Sequence, residues 1–383
     1  MEVMLDLNKI RDDIDITDKQ IVELFEKRMK LCESVAEYKI ANGKEVLDVT
    51  REKQKIEKVV GLAGNDFNKK SVEELFKQIM AMSRKMQYQI LSNHDIKNNI
   101  DNVIDFKEVD ELKIENAKVV YQGLEGAYAH DAVCQYFGED CDMYHVETWR
   151  DAMEEVKEGR ADYAVLPIEN STAGIVSQVY DLLVEYDNYI VGETFVKVEH
   201  ALLGTKDATI EDIERVYSHP QSLMQSAKFL EEHRDWQQIS LSNNAVSAKK
   251  VADDNDKTKA AIASVRAGKL YGLQILKEKV NYSDVNTTRF VIVGKNKIYQ
   301  KDAGKVSICF ELAHESGSLY NMLSHFIFNN LNMTNIESRP IEDKKWEYRF
   351  FIDIEGKLGD AAVKNALRGI GAEALKLMIL GNY

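Results

Sequence analysis

The chain has 383 residues, 44% hydrophobic and 30% charged, enough apolar side chain to fill more than one core, which excludes a disordered chain, a collagen-like repeat and a disulfide scaffold. Its formal charge is -14, from 50 Lys+Arg against 64 Asp+Glu, and this balance excludes a nucleic-acid binder that gains affinity by neutralising phosphates. Residues 1–100 carry 18 charges of each sign, so the whole deficit lies in 101–383, and an anionic ligand has to be held by a local cluster of cations.

None of the three prolines (Pro167, Pro220, Pro340) precedes residue 167, and residues 1–91 contain only three glycines, so long helices are expected there. Leu7, Ile10, Ile14, Ile21, Leu24, Leu31 and Val35 recur at three-and-four spacing, which predicts one buried helical stripe over about 30 residues. Arg28 stands in that stripe. A break at Ala41-Asn42-Gly43, a second helix from about Thr50 and a third from Val72 to Leu91 complete an all-α module over 1–91. Residues 92–116 lack a sustained apolar period and read as a linker. From Lys118 short apolar runs alternate with amphipathic stretches, as expected of an α/β domain over 117–296 that closes with a strand at Arg289–Val293. The segment 304–383 reads strand, helix, strand, strand, helix, strand, the ferredoxin-like βαββαβ order.

On one helix Arg28 and Lys39 lie three turns apart, ~16 Å, on a shared face, and two such arms bracket a small dianion. Arg11 lies ~25 Å before Arg28 along the axis, so it reaches the same ligand only from a second subunit, which points to an intertwined dimer. The wider pattern is Arg11, Arg28, Lys39, Asp48, Arg51, Glu52, Ser83 and Gln87, and with its intervening apolar positions it resembles the all-helical chorismate mutase family over 1–91. The resemblance implies that these eight line the substrate pocket and that Arg11 comes from the other subunit. It assigns Lys39 and Gln87 to the ether oxygen and Glu52 to the ring hydroxyl. The rearrangement of chorismate to prephenate needs no nucleophile, acid, metal or cofactor, only folding of the substrate and stabilisation of charge.

In the α/β region three strings place polar side chains at strand ends: Asp162 to Gly174, containing Glu169-Asn170-Ser171-Thr172; Tyr217-Ser218-His219-Pro220-Gln221; and Asn286-Thr287-Thr288-Arg289-Phe290. Asn170-Ser171-Thr172 is expected to cap a helix running from Ile175 to Tyr186. Together the strings resemble prephenate dehydratase over about 118–294. That implies a two-lobed domain similar to periplasmic binding proteins, with Glu169, Asn170, Gln221 and Thr288 as active-site candidates. Ser171 is a further substrate-binding candidate, and Arg289 a candidate partner for a substrate carboxylate. Loss of carbon dioxide and the ring hydroxyl requires a donor facing that oxygen. Thr288 reads as the oriented donor, with Glu169 or water as proton source; His219 is a rival acid, though a histidine beside proline in a turn is more often structural. The loop Gly123-Leu124-Glu125-Gly126-Ala127-Tyr128-Ala129-His130 departs from the family, which has a proline and hydroxyls there, so backbone N–H groups are expected to serve instead.

In the last segment, Gly317-Ser318-Leu319 and Glu337-Ser338-Arg339-Pro340 resemble the ACT regulatory domain, which implies a phenylalanine site built from Gly317, Leu319, Glu337, Ser338, Arg339 and Pro340 at a subunit interface. The whole resembles the bifunctional chorismate mutase-prephenate dehydratases. That implies chorismate and prephenate as substrates, phenylalanine as inhibitor and a homodimer or larger. Two alternatives stay open: a dehydratase whose helical module only dimerises, and a non-catalytic amino-acid or keto-acid sensor. Cys32, Cys134, Cys141 and Cys309 form no Cys-x-x-Cys pair, and no zinc or redox site is expected. The N-terminus lacks a basic region followed by an apolar run, no stretch is long enough to span a membrane, and a cytoplasmic protein is expected.

Overall fold

A computed structural model describes residues 6–93, 103–342 and 344–383. Three helices open the chain: α1 (Leu7–Ala41), α2 (Val49–Val60) and α3 (Asp66–Asn93). Asp6 and Asp48 cap α1 and α2, the Asp6 carboxylate accepting from Asn8 N and Lys9 N and that of Asp48 from Arg51 N. The apolar stripe predicted to be buried is not. Leu7, Ile14, Ile21, Leu24 and Leu31 are 58, 51, 57, 67 and 62% exposed, and Ala36 is the buried residue of α1. α2 contains only 12 residues, and Phe67 and Leu75 in the first part of α3 are themselves 80 and 54% exposed, so neither helix covers the N-terminal half of the 35-residue α1.

The expected linker lies partly outside the described residues, at 94–102, and is not wholly irregular. It contains β1 (Lys107–Val109), which pairs in parallel with the distant strand Ile298–Gln300. The first α/β lobe follows with β2 (Lys118–Gln122), α4 (Tyr128–Phe137), β3 (Asp142–Val146), α5 (Trp149–Lys157), β4 (Tyr163–Asn170), β5 (Gly174–Ile175), α6 (Ser177–Glu185) and β6 (Tyr189–Lys197). The chain then crosses to a second lobe of β7 (His200–Gly204), β8 (Arg215–Ser218), α7 (Pro220–Gln225), α8 (Ala227–Leu230), β9 (Gln237–Ser240), α9 (Asn244–Asp254), β10 (Lys259–Ser264), α10 (Val265–Leu270) and β11 (Gln274–Lys277). It returns through β12 (Thr287–Gly294) and β13 (Ile298–Gln300). The second lobe is a five-stranded sheet in the order β11-β7-β10-β8-β9, so the expected two-lobed α/β module is present and its polypeptide crosses between lobes twice.

The C-terminal segment has β14 (Lys305–Glu311), α11 (Ser318–Phe328), β15 (Met333–Pro340), β16 (Tyr348–Glu355), α12 (Ala361–Glu373) and β17 (Lys376–Asn382), the predicted βαββαβ order. Its strands run β15-β16-β14-β17, and β17 meets β6, so this sheet continues into that of the first lobe, β6-β12-β4-β2-β3. The join depends on Gly381: a Cβ there would lie 2.1 Å from the Ile190 carbonyl oxygen, so any side chain would force the two sheets apart.

Arg289 sits at this join rather than in a cleft. It is 7% exposed and donates to Glu193 at 2.7 Å, Asp353 at 2.8 Å and the Tyr383 hydroxyl at 2.8 Å. Its donors are thus spent on the seam between the first lobe and the C-terminal sheet, which corrects the expectation that it meets a substrate carboxylate. Alternation is the reason: Thr288 and Arg289 are consecutive in β12 and point to opposite faces. No helix among the described residues is long and apolar enough to cross a membrane.

Candidate functional site

α1, α2 and α3 enclose a cavity of about 220 Å³ that brings together seven of the eight residues singled out in the helical module. Arg28 and Lys39 come from α1; Asp48, Arg51 and Glu52 from the start of α2; Ser83 and Gln87 from α3. Arg11 is exposed on α1 and does not line it. Arg28 Nη1 donates to Ser83 Oγ at 2.6 Å, and Lys39 Nζ to the Val46 carbonyl at 2.5 Å. Burial lowers the Lys39 ammonium from its ordinary pKa, against the opposing pull of Asp48 and Glu52. Gln87 is buried, with Nε2 donating to the Ser83 carbonyl at 3.2 Å and Oε1 unpartnered, an unmet group that a ligand can satisfy.

Two cations of the cavity escaped the sequence reading, Lys55 and Arg84. Lys55 was within reach, being one helical turn beyond Arg51 on α2. Arg84 was not, because it neighbours Ser83 on α3 and adjacent helical residues point ~100° apart, so only the packing around α3 shows where it goes. Arg28, Lys39, Arg51, Lys55 and Arg84 therefore face Asp48 and Glu52, a local cationic excess in a chain whose net charge is -14. The N-terminus of α2 adds its partial positive charge at the same place. The cavity is built for a small anion.

The second constellation lies where the two lobes touch. Asn170 ends β4 directly opposite Thr288 on β12, and its Nδ2 donates to Asn286 Oδ1 at 2.8 Å and Thr288 Oγ1 at 2.9 Å. Its Oδ1 accepts from Thr172 N, Thr172 Oγ1 and Ala173 N at 3.0, 2.8 and 2.9 Å. With both ends saturated, Asn170 holds the loop and orients Thr288. Because Thr288 Oγ1 accepts here, its own proton is free to be given elsewhere. Thr172 carries the network to the second lobe through Gln225 Nε2 at 2.8 Å, and Gln225 Oε1 meets His200 Nε2 at 2.9 Å. His200 Nδ1 in turn lies 2.9 Å from the Tyr128 hydroxyl. Gln225, His200 and Tyr128 were missed, since nothing in their spacing ties them to Asn170.

Several expectations fail locally. Asn170-Ser171-Thr172 does not cap α6, which starts at Ser177 with Val176 as an N-cap that makes no side-chain bond; Asn170 instead bonds its own loop. Ser171 Oγ donates to the Val285 carbonyl and accepts from Thr287 N, both at 3.0 Å, so it stitches two loops together. His219 is the N-cap of α7, its Nδ1 accepting from Gln221 N at 3.2 Å, and burial lowers its pKa, so it serves as a turn residue rather than an acid. Gln221 is half-buried beside it. Glu169 alternates with Asn170 and falls on the opposite face from Thr288. There, burial and then the Glu169 charge raise the pKa of Glu337 on β15. In the Gly-rich loop Ala127 is the N-cap of α4 and makes no side-chain bond, so the first amides of this 10-residue helix have no side-chain cap.

Glu337, Ser338, Arg339 and Pro340 form the second half of β15. Arg339 grips Asp181 of α6 at 2.7 Å, and Asn335 donates to the Tyr180 hydroxyl at 3.0 Å. Gly317, with φ of 83°, precedes α11 together with Leu319 in its first turn. It follows β14 at the same end of the sheet, where Arg339 pairs with Arg349 and Arg349 with Glu311.

Two family models match the chain, chorismate mutase type II over residues 10–88 and prephenate dehydratase over residues 119–298. A curated relative, the bifunctional chorismate mutase/prephenate dehydratase of Buchnera aphidicola subsp. Schizaphis graminum, is 31% identical over 384 residues, covering 99% of this chain and 96% of its own. Among solved structures, the prephenate dehydratase of Arthrobacter aurescens in complex with L-Phe is 27% identical, with a TM-score of 0.65 over 70% of this chain and 89% of that one. GqqA, described as a novel type of quorum quenching acylase, is 31% identical with a TM-score of 0.64 over 70% of this chain and 97% of its own. Two different activities thus stand on one fold at equal likeness, and the side chains, not the fold, have to distinguish them.

Proposed function

The chain belongs to the bifunctional chorismate mutase/prephenate dehydratase family, and from that premise we propose that it converts chorismate to prephenate in the helical cavity and prephenate to phenylpyruvate between the α/β lobes. The observation that carries the first step is the convergence of Arg28, Lys39, Asp48, Arg51, Glu52, Ser83 and Gln87 on one cationic cavity. Arg28 and Arg51 grip the carboxylates with forked donors, and Asp48 and Ser83 border the same site. Lys39 and a Gln87 N–H face the ether oxygen as it gains charge, and Glu52 holds the ring hydroxyl. A helical module that only dimerises has no need of such a cavity.

In the second step the Thr288 hydroxyl, oriented by Asn170, donates to the departing ring oxygen while carboxylate loss supplies the electrons that aromatise the ring. Gln221, in the first turn of α7 on the second lobe, contributes to substrate binding, and the amides that open α4 receive a carboxylate in place of the absent loop hydroxyls. Domain limits of 1–91, 117–296 and 304–383 follow this division of labour, with the last segment an ACT domain that takes phenylalanine at Gly317, Leu319 and Glu337 to Pro340. A cytoplasmic location suits such an enzyme. Incubating the chain with chorismate and following prephenate and phenylpyruvate, with and without phenylalanine, tests the whole reading. Absence of both products would favour a binding protein instead.

A second copy of the chain supplies Arg11. The exposed apolar stripe of α1 supports this, because a contiguous face of that kind on a soluble chain calls for a partner. In a twofold dimer each cavity then takes Arg28 from one subunit and Arg11 from the other. Arg11→Ala and Arg28→Ala subunits are each expected to lack mutase activity, and co-assembly of equal amounts to restore roughly a quarter of it, since half the dimers carry one intact cavity. Failure to recover activity from assembled mixed dimers would exclude the shared site.

A further inference from the structure

Arg84 joins two carboxylates that belong to different parts of the molecule. Its Nη1 donates to both oxygens of Glu52, at 2.8 and 2.6 Å, at the edge of the mutase cavity. Its Nε and Nη2 donate to the two oxygens of Glu373, at 2.8 and 3.3 Å, in the last turn of α12. The Arg84 and Glu373 side chains are only 10 and 12% exposed, so this is a desolvated pair rather than a surface contact. Burial raises the Glu373 carboxyl, but His325 and Arg84 together hold it down at about 2, so it stays ionised at neutral pH.

The surroundings are shaped for this contact. His325 of α11 places Nε2 3.4 Å from Glu373 Oε1, and it fits because residue 369 is glycine: a Cβ there would lie 2.3 Å from His325 Nδ1. Lys85 Nζ donates to Ser324 Oγ at 2.6 Å, a second tie between α3 and α11. Among the described residues the Glu52 carboxylate has hydrogen bonds from Arg84 only, so Arg84 holds it in place. A guanidinium shared between two anions also draws negative charge away from each, which sets how strongly Glu52 accepts from a ligand.

We propose that Arg84 is a positioning residue of the mutase site, held in place by Glu373, so that the C-terminal domain completes a cavity otherwise built by the three N-terminal helices. This rests on the assignment of the helical cavity to chorismate. Without Glu373, Arg84 collapses fully onto Glu52 and withdraws it from the ring hydroxyl. That contact is made by substrate and transition state alike, so its loss appears in KM rather than kcat.

The test is Glu373→Gln in the full chain, which keeps the shape and removes the charge. KM for chorismate is expected to rise about tenfold with kcat held within about twofold, the size of one weakened charged hydrogen bond. Dehydratase turnover of supplied prephenate should be unchanged. Glu373→Asp, which keeps the charge on a shorter arm, gives a smaller rise in KM and replaces the first variant should that one not fold. An unaltered KM in either folded variant overturns the proposal, as does a parallel fall of both activities, which would mark the contact as structural. Lack of mutase turnover by the unaltered chain overturns the assignment of the cavity, and the role of Arg84 with it.

Discussion

Replacing Arg28 with alanine is expected to slow conversion of chorismate to prephenate by roughly a thousandfold, while the same preparation turns over supplied prephenate at the normal rate. The cavity has only 220 Å³ and no general acid or base is needed, so catalysis there is electrostatic and conformational. A dianion entering a chain of net charge -14 is held by the five cations around it, and Arg28 presents a planar fork where Ser83 now accepts its hydrogen bond. Arg28→Lys should recover part of the loss, since a point charge restores attraction but not the two parallel bonds. Stopped assays of both reactions on the purified full chain decide the matter. Unchanged mutase turnover would mean that the helices serve assembly alone.

The second large effect is expected at Thr288. Thr288→Val keeps volume and β-branching but removes the donor, and dehydratase kcat is expected to fall by about two to three orders of magnitude, with mutase turnover unaffected. Thr288→Ser should retain most activity, because Asn170 still donates to the hydroxyl and still leaves its proton free. The serine control separates a missing donor from a disturbed strand. A valine variant as active as the parent would move the donor to water or to another residue. Arg289 is one position away in sequence yet belongs to the seam with Glu193 and Asp353, so its replacement tests stability rather than turnover.

Periodicity along the chain determined the element types and their order: three N-terminal helices, alternating strands and helices, and a closing βαββαβ unit. It also placed Arg28 and Lys39 on one helical face, since a rise of ~1.5 Å per residue fixes their distance whatever surrounds them. Which strings belong to one site was legible from the family resemblance, and seven of the eight helical candidates do share a cavity. The tertiary structure decided what those faces meet. It set Asn170 rather than Glu169 opposite Thr288 and spent Arg289 on Glu193 and Asp353, because the register of β4 against β12 and the join to the C-terminal sheet fix which residues meet. It left the stripe of α1 in solvent, because an apolar pattern shows that a face needs covering but not which chain covers it. It brought Glu373 to Arg84 across 289 residues of sequence, a pairing no local spacing encodes, because long-range contacts depend on how whole elements pack.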